Sequence, residues 1–337
     1  MHRPLRSRLL ALSAVLPALT ACGSSSGGGL ATSTAAGYGA ALLQLDEQWV
    51  ATCAGGGQGQ QPSIAISGAI EGAQLQAIVT AGKATYDAAN GAACIAAAQA
   101  LGCWLDALPP PPACAQVFTG ASPVGGACVV SEECVPGAHC TANASPASGC
   151  TAGVCVAYAL AGQGCAGAEC APGTTCGSGS VCVARTEVAA GGACGATGTY
   201  CAQGTYCGPA STCVAPTPRG GACGSGIACA FGLGCAPDGT CQPYVAAGGA
   251  CGGASQGPCG APFLSAMSCA SGVCTTSYAA PGAACSATLP CLEEYTCDAT
   301  SSTCVARLAG GAACAADAQC QSSLCTGGLC ASPICPP

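Results

Sequence analysis

The recurrence of cysteine constrains this chain more than any other feature. Gly-x-x-Cys occurs at Gly125–Cys128, Gly162–Cys165, Gly191–Cys194, Gly220–Cys223, Gly248–Cys251, Gly282–Cys285 and Gly311–Cys314, and three further cysteines follow each time at intervals of about six residues. Self-similarity at a fixed period marks an array of one small unit. The seven sets are Cys128, Cys134, Cys140 and Cys155; Cys165, Cys170, Cys176 and Cys182; Cys194, Cys201, Cys207 and Cys213; Cys223, Cys229, Cys235 and Cys241; Cys251, Cys259, Cys269 and Cys274; Cys285, Cys291, Cys297 and Cys304; and Cys314, Cys320, Cys325 and Cys330. They place modules near 125–158, 162–185, 191–216, 220–244, 248–277, 282–307 and 311–335, within an array spanning 124–335. Cys150 and Cys335 are extra cysteines in the first and last modules.

Hydrophobic residues make up 50% of the chain, but Ala, Cys and Gly inflate that figure. From Ser122 onward there are only eight Leu, two Ile and one Met. Such a segment cannot bury enough large apolar surface to offset the entropy of ordering it. Thirty-five cysteines in 337 residues supply the alternative, a disulfide scaffold. One bridge closing a loop of roughly 12 residues contributes about 3 kcal/mol by restricting the unfolded chain. Two bridges per module therefore suffice with almost no core. The expected fold is a row of short β ribbons and turns, with glycine ahead of each first cysteine permitting positive φ where the chain turns. Connectivity stays open, since four cysteines allow three pairings.

The N-terminus places these cysteines in an oxidising compartment. Arg3, Arg6 and Arg8 precede a short apolar run, Leu9 to Leu19, that ends Leu19-Thr20-Ala21-Cys22. This is the anatomy of a secretory signal peptide over residues 1–21, too short to span a bilayer. Leu-Thr-Ala-Cys resembles the lipobox of bacterial lipoproteins. That resemblance implies cleavage before Cys22 and lipidation of its thiol, with Gly23 favouring the outer membrane; ordinary cleavage and release is the alternative. Removing Cys22 leaves an even 34 cysteines, as full pairing requires. A Gly/Ser tether over 22–36 follows.

Residues 37–120 read differently. Tyr38, Leu42, Leu45, Trp49 and Cys53 recur at helical spacing. A break at Gly55–Gln61 precedes a second helix that begins near Pro62-Ser63 and carries Ile66, Ile70 and Ile78. A third run, Cys94, Ala97, Leu101, Trp104 and Leu108, stops at Pro109–Pro112. Cys53, Cys94, Cys103 and Cys114 make two bridges available. The expectation is a small stapled helical domain with Trp49 and Trp104 in its core.

Charge and motif exclude several functions. Loss of Arg3, Arg6 and Arg8 leaves Lys83, Arg185, Arg219 and Arg307 against fourteen acids, a formal charge of −10. Nucleic acid, which needs clustered Lys and Arg, is a poor partner. The mature chain has one histidine, His139, and no phosphate loop or nucleophile elbow, so no enzyme is expected. No C-x-x-C occurs; the C-x4-C gaps suit disulfide rhythm better than zinc. Glu132-Glu133 and Glu293-Glu294 are too few oxygen ligands for Ca²⁺. Neither cofactor nor metal is expected.

The carrying segments Gly-Ala-Cys128-x5-Cys134-Val-Pro-Gly-Ala-His-Cys140, Gly-Gly-Ala-Cys223-x5-Cys229-Ala-Phe-Gly-Leu-Gly-Cys235 and Gly-Ala-Ala-Cys314-Ala-Ala-Asp-Ala-Gln-Cys320 resemble the Dickkopf N-terminal cysteine-rich domain. Similar repeats occur in lipoproteins of myxobacteria and their relatives. The resemblance implies a non-enzymatic extracellular module and maps no binding residue. Two functions fit. In one, a tethered array binds an extracellular protein or glycan, using Tyr158, Tyr200, Tyr206, Phe231, Tyr244, Phe263, Tyr278 and Tyr295, some of them exposed. In the other, the array is a passive, protease-resistant stalk or coat, and these aromatics pack on disulfides.

Overall fold

The computed structural model describes residues 31–53, 61–105, 108–141, 150–260, 267–292 and 295–337. Cys22, the signal peptide, most of the tether, Phe263 and Glu293-Glu294 lie outside these residues. Among the described residues no helix is long and apolar enough to cross a membrane.

Three helices form the first domain: α1 (Ala35–Cys53), α2 (Gln61–Thr80) and α3 (Ala88–Leu101). The first helix begins two residues before the segment read as helical, and Thr34 Oγ1 accepts the Gly37 N–H at 3.0 Å ahead of it. Tyr38, Leu45, Trp49 and Cys53 are buried as the helical spacing requires, and Ile70 and Ile78 join them from α2. The two helices approach closely because Gly39 faces Gly72: a Cβ on Gly39 would lie 2.5 Å from the Gly72 Cα. The third helix buries Cys94, Ile95 and Ala98. Strand β1 (Ala84–Tyr86) pairs antiparallel with β2 (Phe118–Gly120) and closes the domain. Cys53–Cys103 ties the end of α1 to the turn after α3, and Cys94–Cys114 ties α3 to the segment before β2.

All seven modules share one wiring, in which the first cysteine bonds the third and the second bonds the fourth. The hairpin explains the choice. Third and fourth cysteines sit opposite one another across antiparallel strands, as Cys235 does with Cys241 and Cys297 with Cys304. Opposed residues share one face of a ribbon, so both sulfurs point toward the preceding segment that carries the first two cysteines. The first module adds a strand, giving β3 (Ala127–Cys128), β4 (Ala138–Cys140) and β5 (Gly153–Ala157) in the order β3-β5-β4.

The glycine of Gly-x-x-Cys has φ between +76° and +88° in every module. That turn lets the glycine N–H reach the carbonyl of the fourth cysteine, whose N–H returns to the residue after the glycine. In the fourth module these bonds are Gly220 N–H to Cys241 O at 2.8 Å and Cys241 N–H to Gly221 O at 2.9 Å. A second stitch joins each module to the chain before it. The Thr217 N–H donates to Ala228 O and its carbonyl accepts from Ala230, both at 2.8 Å, which pairs Thr217 in parallel with Cys229. Ala159, Val245, Ala279 and Leu308 stand likewise opposite Cys170, Cys259, Cys291 and Cys320.

The array does not run straight. Cys150 of the first module bonds Cys335 after the seventh, across 185 residues of sequence. The Gln74 side chain on α2 donates to the Cys335 carbonyl at 3.0 Å and accepts its N–H at 2.9 Å, both bonds buried. The Gly232 N–H donates to Cys53 O at 2.9 Å, and Gln203 Nε2 donates to the Ala100 and Leu101 carbonyls at the end of α3. Modules thus curl back onto the helical domain, and the array closes into a ring.

Candidate functional site

The disulfide-candidate cysteines of the sequence are all paired, including the extra two. In several modules three sulfurs come within 4.8 Å of one another, as for Cys128, Cys134 and Cys155 or Cys223, Cys229 and Cys241. This is the spacing of a metal site, but these sulfurs are bonded in pairs. A disulfide has no thiolate to offer a cation.

The aromatic residues mostly sit at seams. Tyr158 stacks on His139 with ring centres 4.7 Å apart, and the Arg185 guanidinium lies 5.0 Å from the Tyr200 ring centre. The Tyr206 hydroxyl of the third module accepts the Ala228 N–H of the fourth at 2.8 Å. Trp104 is only half-buried, because its partner comes from the array: Phe231 meets it edge-on at 5.0 Å. Tyr295 packs on the cluster that contains Cys285 and Cys304. Phe231 and Tyr278 each remain 40% exposed.

His139 and Glu133 are buried in the first module. The His139 Nε2 stands 3.7 Å from Glu169 Oε2 on the second module, and its Nδ1 has no hydrogen-bond partner. One Glu133 oxygen accepts the Val129 N–H at 3.2 Å; the other is buried without a partner. Burial raises the Glu133 pKa, opposed by the Val129 bond and Lys83. Ser131 Oγ accepts the Cys140 N–H at 3.2 Å.

A groove of about 670 Å³ opens where the helical domain meets the first module. Its floor is the β1–β2 ribbon, with Tyr86 and Phe118 opposed and their rings 5.3 Å apart. Chain direction then sets the next side chains. Asp87 follows Tyr86 and caps α3, its Oδ1 accepting the Ala89 and Asn90 N–H groups at 2.9 and 3.0 Å. Asn90 Nδ2 bridges Asp87 Oδ2 at 3.0 Å and Gln116 O at 3.3 Å. Thr85, Thr119, Ala88, Ala115 and Gln116 complete this side, and Pro136 from the Cys134-Val-Pro-Gly turn forms the opposite wall. Tyr86 donates to the Thr32 carbonyl at 2.5 Å, and burial, then Asp87, raises its pKa, so the phenol stays neutral. None of these lining residues was singled out in the sequence; Asp87 ahead of an Ala-rich run was the readable signal, as a helix cap.

No family model matches this chain, and no curated protein or solved structure matches it either.

Proposed function

We propose that the chain is an exported lipoprotein of a bacterial cell envelope, held through a lipid on Cys22 and oriented from the outer membrane. Its closed ring of modules presents a surface to an extracellular protein or glycan, without catalysis. The seventeen disulfides among the described residues are typical of exported or extracellular proteins. The lipobox resemblance of Leu19-Thr20-Ala21-Cys22 supports the anchor, and the cysteine spacing supports kinship with Dickkopf-like repeats of myxobacterial lipoproteins.

The observation that carries the binding role is the distribution of exposed apolar side chains. Cysteines and stitching glycines build each module from within, while Val124, Leu160, Ile227, Phe231, Tyr278 and Leu329 face water at 40–59% exposure. Repetition of such a surface raises avidity. Ring closure also favours presentation over an extended stalk, since joined ends cannot reach far from each other.

Two measurements test the reading. A Cys22→Ala variant is expected to move from the membrane to the soluble fraction; retention at the membrane removes the anchor. The mature protein, immobilised with its bridges intact, is expected to retain an envelope protein or glycan saturably and to lose it after reduction. Absence of saturable retention leaves the passive coat as the function.

A further inference from the structure

We infer that the groove between the β1–β2 ribbon and Pro136 is a binding site for a short neutral saccharide; this rests on the binding role proposed above and gives it a ligand class.

Size comes first. A volume of about 670 Å³ lies within the span of small-molecule sites, which favour seams between domains. This groove lies on such a seam, between the helical domain and the first module.

Chemistry selects the class. Asp87 is the charged residue among those lining the groove, and both its oxygens are taken, by the N-terminal amides of α3 and by Asn90. Asp87 is exposed and keeps its negative charge while accepting these bonds, which disfavours an anionic ligand. What remains is neutral: the Gln116 amide and the Thr119 hydroxyl, both exposed, and the Asn90 amide oxygen. The Gln116 amide and the Thr119 hydroxyl can both donate to and accept from a ligand hydroxyl, and the Asn90 oxygen can accept from one. Half-buried Tyr86 and Phe118 provide ring carbon beside them. A molecule that is uncharged, rich in hydroxyls on its edge and apolar on its face fits that combination; saccharides have this make-up.

The ligand surface is also held rigid. Tyr86 is fixed by its bond to Thr32 and by its fit over Gly91, where an added Cβ would lie 2.3 Å from the phenolic oxygen. Preorganised side chains lose little entropy on binding.

The test uses the full mature lipoprotein in detergent micelles, with bridges intact. Cellotriose and chitotriose are titrated as neutral probes and trigalacturonate as the acidic control, read by amide resonances. Saturable shifts at Thr85–Asn90 and Ala115–Thr119 with a neutral probe, and weaker ones with the acid, are expected. Gln116→Ala with Thr119→Ala, both exposed, should weaken binding about threefold to tenfold per lost hydrogen bond and leave the melting temperature unchanged. Gly91→Ala should abolish it by displacing Tyr86. No saturable shift with either neutral probe, or shifts confined to other modules, overturns the site. Shifts elsewhere would leave the broader binding role standing, and loss of all saturable retention would remove both.

Discussion

Conformation at single residues decides how tightly each module is drawn. The Gly-x-x-Cys glycines have open space where a Cβ would go, so their requirement is positive φ alone. Gly220→Ala should therefore cost about 1–2 kcal/mol, the strain of a left-handed L-residue, seen as a lower melting temperature in calorimetry. Ser180, Ser211 and Ser302 already carry φ near +54° at the hairpin turns, where Gly239 and Gly328 stand in other modules. Ser211→Gly should accordingly leave stability unchanged or slightly raised. Glu133 gives a pH dependence. Because burial raises its folded pKa above the unfolded value, its contribution to stability is fully present below the unfolded pKa and is lost as pH rises through the folded one. Glu133→Gln should flatten that decline, so that the variant gains on the parent as pH rises from 4 toward 8; denaturant titration at each pH checks it. A variant that tracks the parent at every pH would show that the carboxylate is solvated.

At the scale of the element, each hairpin is held by two bridges and by its backbone stitches, and little else is buried beneath it. Cys241, at 0% exposure, is as buried as any residue of its module. Removing one bridge, as in Cys229→Ala with Cys241→Ala, should cost about 3 kcal/mol by the loop-closure estimate. The loss should be confined to the fourth module and the helix end that it meets through Gly232 and Phe231, because stability in arrays is a sum of short-range terms. Hydrogen exchange should accelerate over Gly220–Tyr244 while the first and seventh modules keep their protection. Uniform acceleration would show the array to be a single cooperative unit. The seam at Trp104 and Phe231 is a different kind of contact, an aromatic pair between domains; such pairs are worth about 0.5–1.5 kcal/mol beyond their area.

For the whole molecule the decisive bond is Cys150–Cys335. By the same estimate a loop of 185 residues would be worth about 5 kcal/mol. The modules' own bridges shorten the unfolded loop, so the actual gain is smaller. Cys150→Ser with Cys335→Ser should leave every module folded but let the last ones swing away. Small-angle scattering is expected to report a larger radius of gyration with an unchanged circular dichroism spectrum. An unchanged radius would mean that Gln74 holds the chain end without the disulfide.

What the sequence determined by itself is local. Cysteine rhythm, glycine placement and scarcity of Leu and Ile specified stapled ribbons, because every interaction that builds a module closes within about thirty residues. Helical spacing likewise placed Tyr38, Leu45 and Trp49 on one buried face. Pairing within a module was undetermined until the hairpin register set third and fourth cysteines on one face. The closing of the ring, the Gly39–Gly72 approach, the half-buried Trp104 and the groove were all decided by tertiary structure. Each joins residues whose partners lie in different elements, and neither period nor composition records which distant surfaces will meet. Packing alone brought Gln74 to Cys335 and Pro136 over the β1–β2 ribbon.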